Sequence, residues 1–217
     1  FGELVPPGSL SGVVFADRNQ DCVHDTGETG ITGVTIRLLD AAGNVIQTTT
    51  TDSNGRYFFD DLRPGVYGVE EVQPNGFFHG GQSIGSGTGT IVGPDRIGNV
   101  QIQSRVDLIN YNFCEIPPAS ISGFAFVDVN DNGIRENGEQ GIAGVTMRLL
   151  DASGNATGQT TVTDSTGFYS FTSLIPGTYG VTEDQPSAYD DGKDQVGTSG
   201  GTALAQPGDR ITGAILA

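Results

Sequence analysis

The segment Pro64-Gly65-Val66-Tyr67-Gly68-Val69 returns 112 residues later as Pro176-Gly177-Thr178-Tyr179-Gly180-Val181. In both copies a Pro-Gly turn leads into a short run that contains valine and tyrosine, residue types that favour strands. The repetition continues upstream, where Thr51-Asp52-Ser53 matches Thr163-Asp164-Ser165 and Arg37-Leu38-Leu39-Asp40 matches Arg148-Leu149-Leu150-Asp151. The 217 residues therefore hold two copies of one domain of ordinary size.

The repeat also divides the chain. We expect residues 1–10 to be the tail of a preceding repeat and a linker, 11–116 the first repeat, 117–121 a proline-rich linker, and 122–217 the second repeat. Ala217 aligns near Gln103, so the second copy lacks a counterpart of Ser104–Glu115, which includes its last strand. The chain is expected to be a window from an array of at least three repeats.

Short apolar alternations indicate the fold class. Strands are predicted near 11–16, 33–40, 45–50, 56–60, 65–72, 97–103 and 107–114 of the first copy. Within them Val34, Ile36 and Leu38 alternate with polar residues, which predicts one buried face, and the glycine-rich segment 75–93 is predicted to be a long loop. These features predict an all-β chain of two tandem antiparallel β-sandwich domains with about seven strands each.

Charge excludes several functions. The net charge of −16 repels a polyanion, so nucleic acid is an unsuitable partner, and no apolar run is long enough to span a membrane. The acidic surface serves solubility, and part of it is also suited to be neutralised by divalent cations.

Two acidic loops indicate a divalent cation. In Asp17–Glu28, oxygen-bearing side chains occupy positions 1, 3, 5, 9 and 12 of a twelve-residue loop, the spacing with which a chain wraps Ca²⁺, and position 7 offers a backbone carbonyl. The predicted ligands are Asp17, Asn19, Asp21, Val23, Asp25 and Glu28, and in the second copy Asp128, Asn130, Asn132, Ile134, Glu136 and Glu139. The alternative is a solvated Asp/Asn turn. Fewer carboxylates in the second loop predict weaker calcium affinity there.

Two further features concern single positions. Asp190, Asp191 and Asp194 are candidates for an additional cation site, with a charged loop as the alternative. Cys22 and Cys114 are the only cysteines, and both occupy positions that hold glycine elsewhere in the repeat. The first and last strands should end at the same pole of the domain, which favours a disulfide over two independent free thiols.

Several motifs occur in a fixed order: Ser-Gly-x-x-Phe-x-Asp-x-Asn-x-Asp, Gly-Ile-x-Gly-Val-Thr, Thr-Asp-Ser-x-Gly-x-Tyr-x-Phe, Leu-x-Pro-Gly-x-Tyr-Gly-Val and Tyr-Asn-Phe-x-Glu. Over nearly its whole length the chain resembles the B-type repeats of serine–aspartate-repeat bacterial surface proteins, which are related to collagen-adhesin B-type domains. The resemblance implies an immunoglobulin-like or transthyretin-like Greek-key sandwich, and a calcium site at the twelve-residue loop positions given above. The Lys–Asn isopeptide bond of some collagen-adhesin domains is excluded, because Ser11–Ala16 and Ser122–Val127 contain no lysine.

The resemblance and the loops together predict calcium-stabilised, non-catalytic spacer modules of a large secreted or cell-surface bacterial protein. Their partners would be neighbouring repeats of the same chain, in a monomeric segment. Two alternatives remain: an adhesive module that binds an unknown protein or glycan, for which Phe77-Phe78 and Tyr189 are the aromatic candidates, and accessory domains of a secreted enzyme. Catalysis within this chain is not expected, because His24 and His79 lack a recognisable nucleophile partner.

Overall fold

A computed structural model describes residues 2–205 and 208–217 of the chain. The chain divides into two compact units, Phe1–Pro117 and Pro118–Ala217. The regular secondary structure of the described residues consists entirely of β-strands. β1 begins at Gly8 and β11 at Ala119, each three residues before the start of the repeat that the sequence predicts.

The first unit is a sandwich of two five-stranded sheets. Its strands are β1 (Gly8–Ala16), β2 (Thr35–Leu39), β3 (Val45–Thr50), β4 (Arg56–Leu62), β5 (Gly65–Glu71), β6 (Phe78–Ser83), β7 (Thr90–Ile91), β8 (Arg96–Ile102), β9 (Asp107–Leu108) and β10 (Asn112–Ile116). One sheet has the order β4-β1-β10-β6, with β9 also on β1, and the other has the order β3-β2-β5-β8-β7. The pairs are antiparallel except that β1 runs parallel to β9 and β10, so β1 and β10 end at the same pole.

The core of the first unit lies between these sheets. The predicted alternation is confirmed in β2, where Ile36 and Leu38 are fully buried, and in β4, where Tyr57 and Phe59 are buried while Phe58 is 55% exposed. Period-two alternation places every second side chain on the inner face. Burying one large apolar side chain contributes roughly 1.5–3 kcal/mol, so these strands carry much of the unit's stability.

The prediction that residues 75–93 form a long loop is wrong. The segment contains β6 and β7, and β6 pairs antiparallel with β10 at the edge of its sheet. Its glycines allow close approach: a Cβ on Gly80 would overlap the carbonyl oxygen of Cys114, and one on Gly85 would overlap that of Ile109. The predicted strand at 107–114 is likewise two strands, β9 and β10.

The second unit repeats most of this arrangement. Its strands are β11 (Ala119–Phe124), β12 (Thr146–Leu150), β13 (Ala156–Val162), β14 (Phe168–Leu174), β15 (Gly177–Glu183), β16 (Thr202–Ala203) and β17 (Arg210–Leu216). β11 pairs with β14, and the second sheet has the order β13-β12-β15-β17-β16. The described residues contain no counterpart of β10, so Ile121 is half-buried where Leu10 of the first unit is fully buried. The predicted fold class, including the missing last strand, is confirmed.

Candidate metal sites

The first acidic loop begins directly after β1 with the aspartate in position 1. Asp17 is 1% exposed, and its backbone N–H donates to the carbonyl oxygen of Glu115 in β10 at 2.8 Å. Its carboxylate oxygens accept hydrogen bonds from the backbone N–H of Gln20 at 2.6 Å and of Cys22 at 2.8 Å. The loop therefore turns around Asp17, and the last strand of the unit holds the first residue of the loop in place.

The glutamate in position 12 closes the same loop. The two carboxylate oxygens of Glu28 accept hydrogen bonds from the N–H of Arg18 at 2.9 Å and of Asp25 at 3.0 Å. The side-chain amide of Asn19 donates to Asp21 at 3.0 Å and to Asp25 at 3.1 Å. These contacts bring together the predicted ligands in positions 3, 5 and 9, while both ends of the loop are held by backbone groups.

The second acidic loop has the same closing hydrogen bonds at positions 1 and 12 as the first, and it differs in the contacts of positions 3 and 5. Position 1 accepts from the N–H of position 6, position 12 accepts from the N–H of positions 2 and 9, and the amides of positions 3 and 5 donate to position 9. The residues in these positions are Asp128, Val129, Asn130, Asn132, Gly133, Glu136 and Glu139. The N–H of Gly133 contributes most to a lowered pKa of the Asp128 carboxyl, which therefore stays ionised. The position-7 residues, Val23 and Ile134, are exposed.

The donor set of both loops suits a hard cation, because every predicted ligand atom is an oxygen. Rotation of the Asn19 side-chain amide by half a turn exchanges its nitrogen and oxygen. The oxygen would then lie beside the carboxylates of Asp21 and Asp25, where a cation could bind all three. Among the described residues the loop carboxylates form no group of three within 4.8 Å of one another. Binding would therefore draw the oxygen atoms together around the ion.

The predicted disulfide is confirmed. Cys22 and Cys114 are joined, with their Cα atoms 5.4 Å apart. Cys22 has a φ of 56°, in the left-handed region, and the equivalent Gly133 has a φ of 77°. Cysteine thus adopts the backbone conformation that the loop requires at position 6, and the bond fastens the loop to β10.

A buried acidic cluster in the first unit was not predicted from the sequence. One nitrogen of His79 in β6 and carboxylate oxygens of Asp95 and Glu115 lie within 4.8 Å of one another. Glu71, at the end of β5, is 3% exposed, and burial together with the charges of Glu115 and Asp95 raises its pKa well above the usual range. Burial also raises the pKa of the Glu115 carboxyl, although the side chain of Gln73 donates a hydrogen bond to it.

The second unit has a related cluster. Burial, together with the nearby charges of Asp209, Asp194 and Asp191, raises the pKa of Glu183 to about 7. Two of the three residues predicted as an additional cation site, Asp191 and Asp194, therefore lie beside Glu183 and Asp209, whereas Asp190 is exposed. Whether this group binds a cation stays a prediction.

One signal in the sequence could have marked some members of both clusters as candidate functional residues. Glu71 and Glu183 occupy equivalent positions at the end of a strand that is otherwise partly buried, and Asp95 recurs as Asp209. Acidic residues that return at the same place in two copies of an otherwise varied segment indicate a shared role. Their proximity could not be inferred, because they lie on different strands.

The aromatic candidates for an adhesive surface are only partly available. Phe77 and Phe78 are half-buried, and Phe78 pairs with Ile116 across β6 and β10. Tyr189 is exposed, but it stands alone as a large aromatic residue in its loop. The described residues therefore offer no exposed aromatic patch at these positions.

Comparison with known proteins identifies the family. The profile of the SdrD B-like domain matches residues 8–97 and 119–212. Serine-aspartate repeat-containing protein D of Staphylococcus aureus (strain Newman) is 36% identical over 225 residues, which cover 99% of this chain. The chain belongs to the SdrD B-like domain family. The resemblance inferred from the ordered motifs is thereby confirmed.

The relatives are much longer than this chain. It spans 16% of the length of protein D, and it matches serine-aspartate repeat-containing protein F of Staphylococcus epidermidis at 37% identity over 193 residues, 86% of this chain and 11% of that protein. The serine-aspartate repeat relatives are cell-surface or extracellular proteins, which agrees with the localisation that the sequence predicts for this chain. In the part of the chain that the structure describes, no helix could cross a membrane.

Solved structures with some likeness to this chain include pilins. The minor pilin GBS52 of Streptococcus agalactiae is 16% identical with a TM-score of 0.36, over 86% of this chain and 87% of that one. The shaft pilin SpaA of Lactobacillus rhamnosus GG is 11% identical with a TM-score of 0.40, over 85% and 90%. Likenesses at this level support no inference about function.

Proposed function

We propose that the two SdrD B-like units are calcium-stabilised, non-catalytic spacer modules of a larger extracellular protein. Calcium would bind the two twelve-residue loops and keep each loop rigid against its own sandwich. Neighbouring repeats of the same chain would then form a segment that resists bending and proteolysis.

The observation that carries this proposal is that the same backbone hydrogen bonds close both loops. In both, position 1 accepts from position 6, and position 12 accepts from positions 2 and 9, although Asp21 and Cys22 of the first loop are Asn132 and Gly133 in the second. Nothing in the chemistry of a solvated turn requires two loops to share both the twelve-residue spacing and the backbone hydrogen bonds to positions 1 and 12. A loop that surrounds a cation does, because each ligand must reach the same point.

Electrostatics supports the same conclusion. The first loop carries the carboxylates of Asp17, Asp21, Asp25 and Glu28 within twelve residues, and like charges at short range destabilise a folded loop unless a cation lies among them. Because Asp17 donates its N–H to Glu115, which lies two residues before Pro117, a rigid loop would also stiffen the exit of the first unit.

Thermal melting of the full chain in calcium and in chelator tests the proposal, with magnesium chloride at equal ionic strength as the control. Extracellular calcium modules have dissociation constants of roughly 10⁻⁴–10⁻³ M. Calcium at about 10–100 times that value stabilises by about 1.4–2.7 kcal/mol, which raises the melting temperature of a 100-residue domain by roughly 6–20 °C. An unchanged melting temperature in calcium would refute the calcium role.

Matched variants assign the effect to the loops. Glu28→Gln should abolish the calcium-induced shift of the first unit only, and Glu139→Gln that of the second, because glutamine has no charge and cannot ligate with two oxygens. Glutamine keeps an acceptor for one of the two backbone N–H groups that each glutamate binds, so the metal-free melting temperature of each variant is measured as well. Asp60→Asn, at an exposed carboxylate in β4, should keep both shifts. In a calcium titration the second transition should respond at higher concentration, since its loop has one carboxylate fewer; the reverse order would contradict that ranking.

A further inference from the structure

The buried cluster of the first unit leaves several polar atoms without hydrogen bonds. Both carboxylate oxygens of Glu71 and Oε1 of Glu115, which is 0% exposed, have no hydrogen-bond partner among the described residues. Oδ1 of Asp95 lies 2.5 Å from Nδ1 of His79 and pairs with it as an ion when the imidazole is protonated. When both carboxyls are ionised, the oxygens of Glu71 and Glu115 therefore lie close together with no donor between them, and only a proton carried by one of the two could join them.

Such an arrangement is unfavourable unless something neutralises it. Buried carboxylates are normally hydrogen-bonded or paired with a cation, and an uncompensated buried charge costs several kcal/mol. Here three carboxylates face one imidazole, and the raised pKa of Glu71 has the same origin, since its burial and the neighbouring charges disfavour ionisation. Either protons or a metal ion must balance the group.

We infer that Glu71, His79, Asp95 and Glu115 form a binding site for a divalent transition-metal ion, with zinc as the metal that fits best. Imidazole nitrogen with carboxylate oxygens is a ligand set of zinc, whereas calcium takes oxygen ligands. Zinc ligands lie about 2.0–2.2 Å from the ion, so two of them are at most roughly 4.4 Å apart. In this structure one ligand-type atom of each of His79, Asp95 and Glu115 lies within 4.8 Å of the other two, and Glu71 is near enough to Glu115 and Asp95 for their charges to raise its pKa. Binding would draw these ligand atoms closer together around the ion.

The second unit provides the contrast that argues for a different metal in the first. At the positions equivalent to Glu71, His79 and Asp95 it has Glu183, Asp191 and Asp209, so its cluster offers only oxygen. Histidine in place of aspartate gives the first unit a softer nitrogen ligand, His79. The second unit keeps only oxygen ligands, which suit hard cations.

The position of the site in the sandwich gives the ion a mechanical role. Glu71 is the last residue of β5 and Asp95 immediately precedes β8, both of one sheet, whereas His79 and Glu115 lie in β6 and β10 of the other. A bound ion would therefore join the two sheets next to the Cys22–Cys114 disulfide. The ion can reach the site from solvent on the side of His79, because the side chain of this residue is 37% exposed. The side chain of Gln73 orients the carboxylate of Glu115 by donating a hydrogen bond to it.

Metal titration of the full chain tests this site. The chain is stripped with chelator, held in excess calcium so that oxygen-only sites are occupied, and titrated with zinc by calorimetry and with cobalt by visible absorption. One zinc equivalent should bind. His79→Gln and His79→Asp, which gives the ligand type of the second unit, should each weaken zinc binding at least about tenfold. Glu71→Gln should weaken it as well.

The other histidine supplies the control. His24→Gln should leave the zinc affinity unchanged, and the metal-free melting temperature of each variant shows whether it is folded. Absence of saturable zinc binding to the wild-type chain would mean that protons balance the cluster and would overturn the inference. Unchanged affinity in a folded His79→Gln variant, or loss of binding in His24→Gln, would overturn it too. None of these outcomes depends on whether the acidic loops bind calcium.

Discussion

Reduction of the Cys22–Cys114 disulfide should destabilise the first unit and leave the second unchanged. The bond joins residues 92 positions apart. Closing a loop of that length removes chain entropy from the unfolded state equivalent to about 4.6 kcal/mol at 25 °C, and native disulfides of small extracellular domains contribute about 2–5 kcal/mol. Since one kcal/mol shifts the melting temperature of a 60–100-residue domain by roughly 4–8 °C, the first unit should melt at least about 8 °C lower when reduced.

Hydrogen exchange detected by mass spectrometry separates the two units within one sample. Oxidised and reduced chains are compared in chelator, so that calcium binding does not contribute. Amides of β1 and β2 should exchange faster after reduction, by a factor that corresponds to the lost free energy, while amides of β12 and β15 serve as the internal reference. The variant with Cys22→Gly and Cys114→Ala should reproduce the reduced protein, because Gly133 shows that glycine suits this loop position.

Two results would refute this reasoning. Unchanged exchange in β1 and β2 after complete reduction would show that the cross-link does not limit the unfolded state. Equal acceleration in both units would show that they unfold together, so that the bond could not be assigned to one of them.

Three substitutions test the packing. Tyr57→Phe removes a buried hydroxyl that donates to the carbonyl of Tyr111 at 2.5 Å, and should cost about 1–1.5 kcal/mol in urea denaturation without a change in m-value. Gly30→Ala would place a Cβ against the carbonyl oxygen of Asn54 and should cost about 1–3 kcal/mol. Leu38 is fully buried in the core of the first unit, so Leu38→Ala should lower the free energy of unfolding of that unit by about 2–5 kcal/mol. In calorimetry only the transition of the first unit should move to lower temperature. A similar effect on the second transition would contradict independent cores.

Much of the fold could be predicted from local patterns. The strands β2, β3, β4, β5 and β8 lie within a residue or two of their predicted limits, because alternating apolar residues and Pro-Gly or Asn-Gly turns act over a few residues. The acidic loops were recognisable for a similar reason, since the spacing of Asp17 to Glu28 expresses the geometry of one continuous turn. The disulfide was inferred from two positions at which cysteine replaces glycine.

The glycine-rich strand β6 could not be predicted in this way. A pattern of neighbouring residues that contains several glycines argues against a strand, because glycine has no side chain to pack and loses more entropy on folding. At Gly80 it is required, because the backbone of β10 approaches where a side chain would otherwise lie. That requirement exists only when β10, more than thirty residues later in the chain, is in place.

By itself, the sequence determined the duplication, the sandwich class, the two twelve-residue loops and the cysteine pair, because each of these is written in short-range spacing or in repetition. Only the tertiary structure decided that His79, Asp95 and Glu115 meet and that Glu71 lies beside them. They come from β5, β6, the approach to β8, and β10, and no local pattern links strands of two sheets. The physical reason is that a buried site of this kind is defined by which strands pack together and in what register, and pairing between distant segments is settled by the whole core rather than by any one of them.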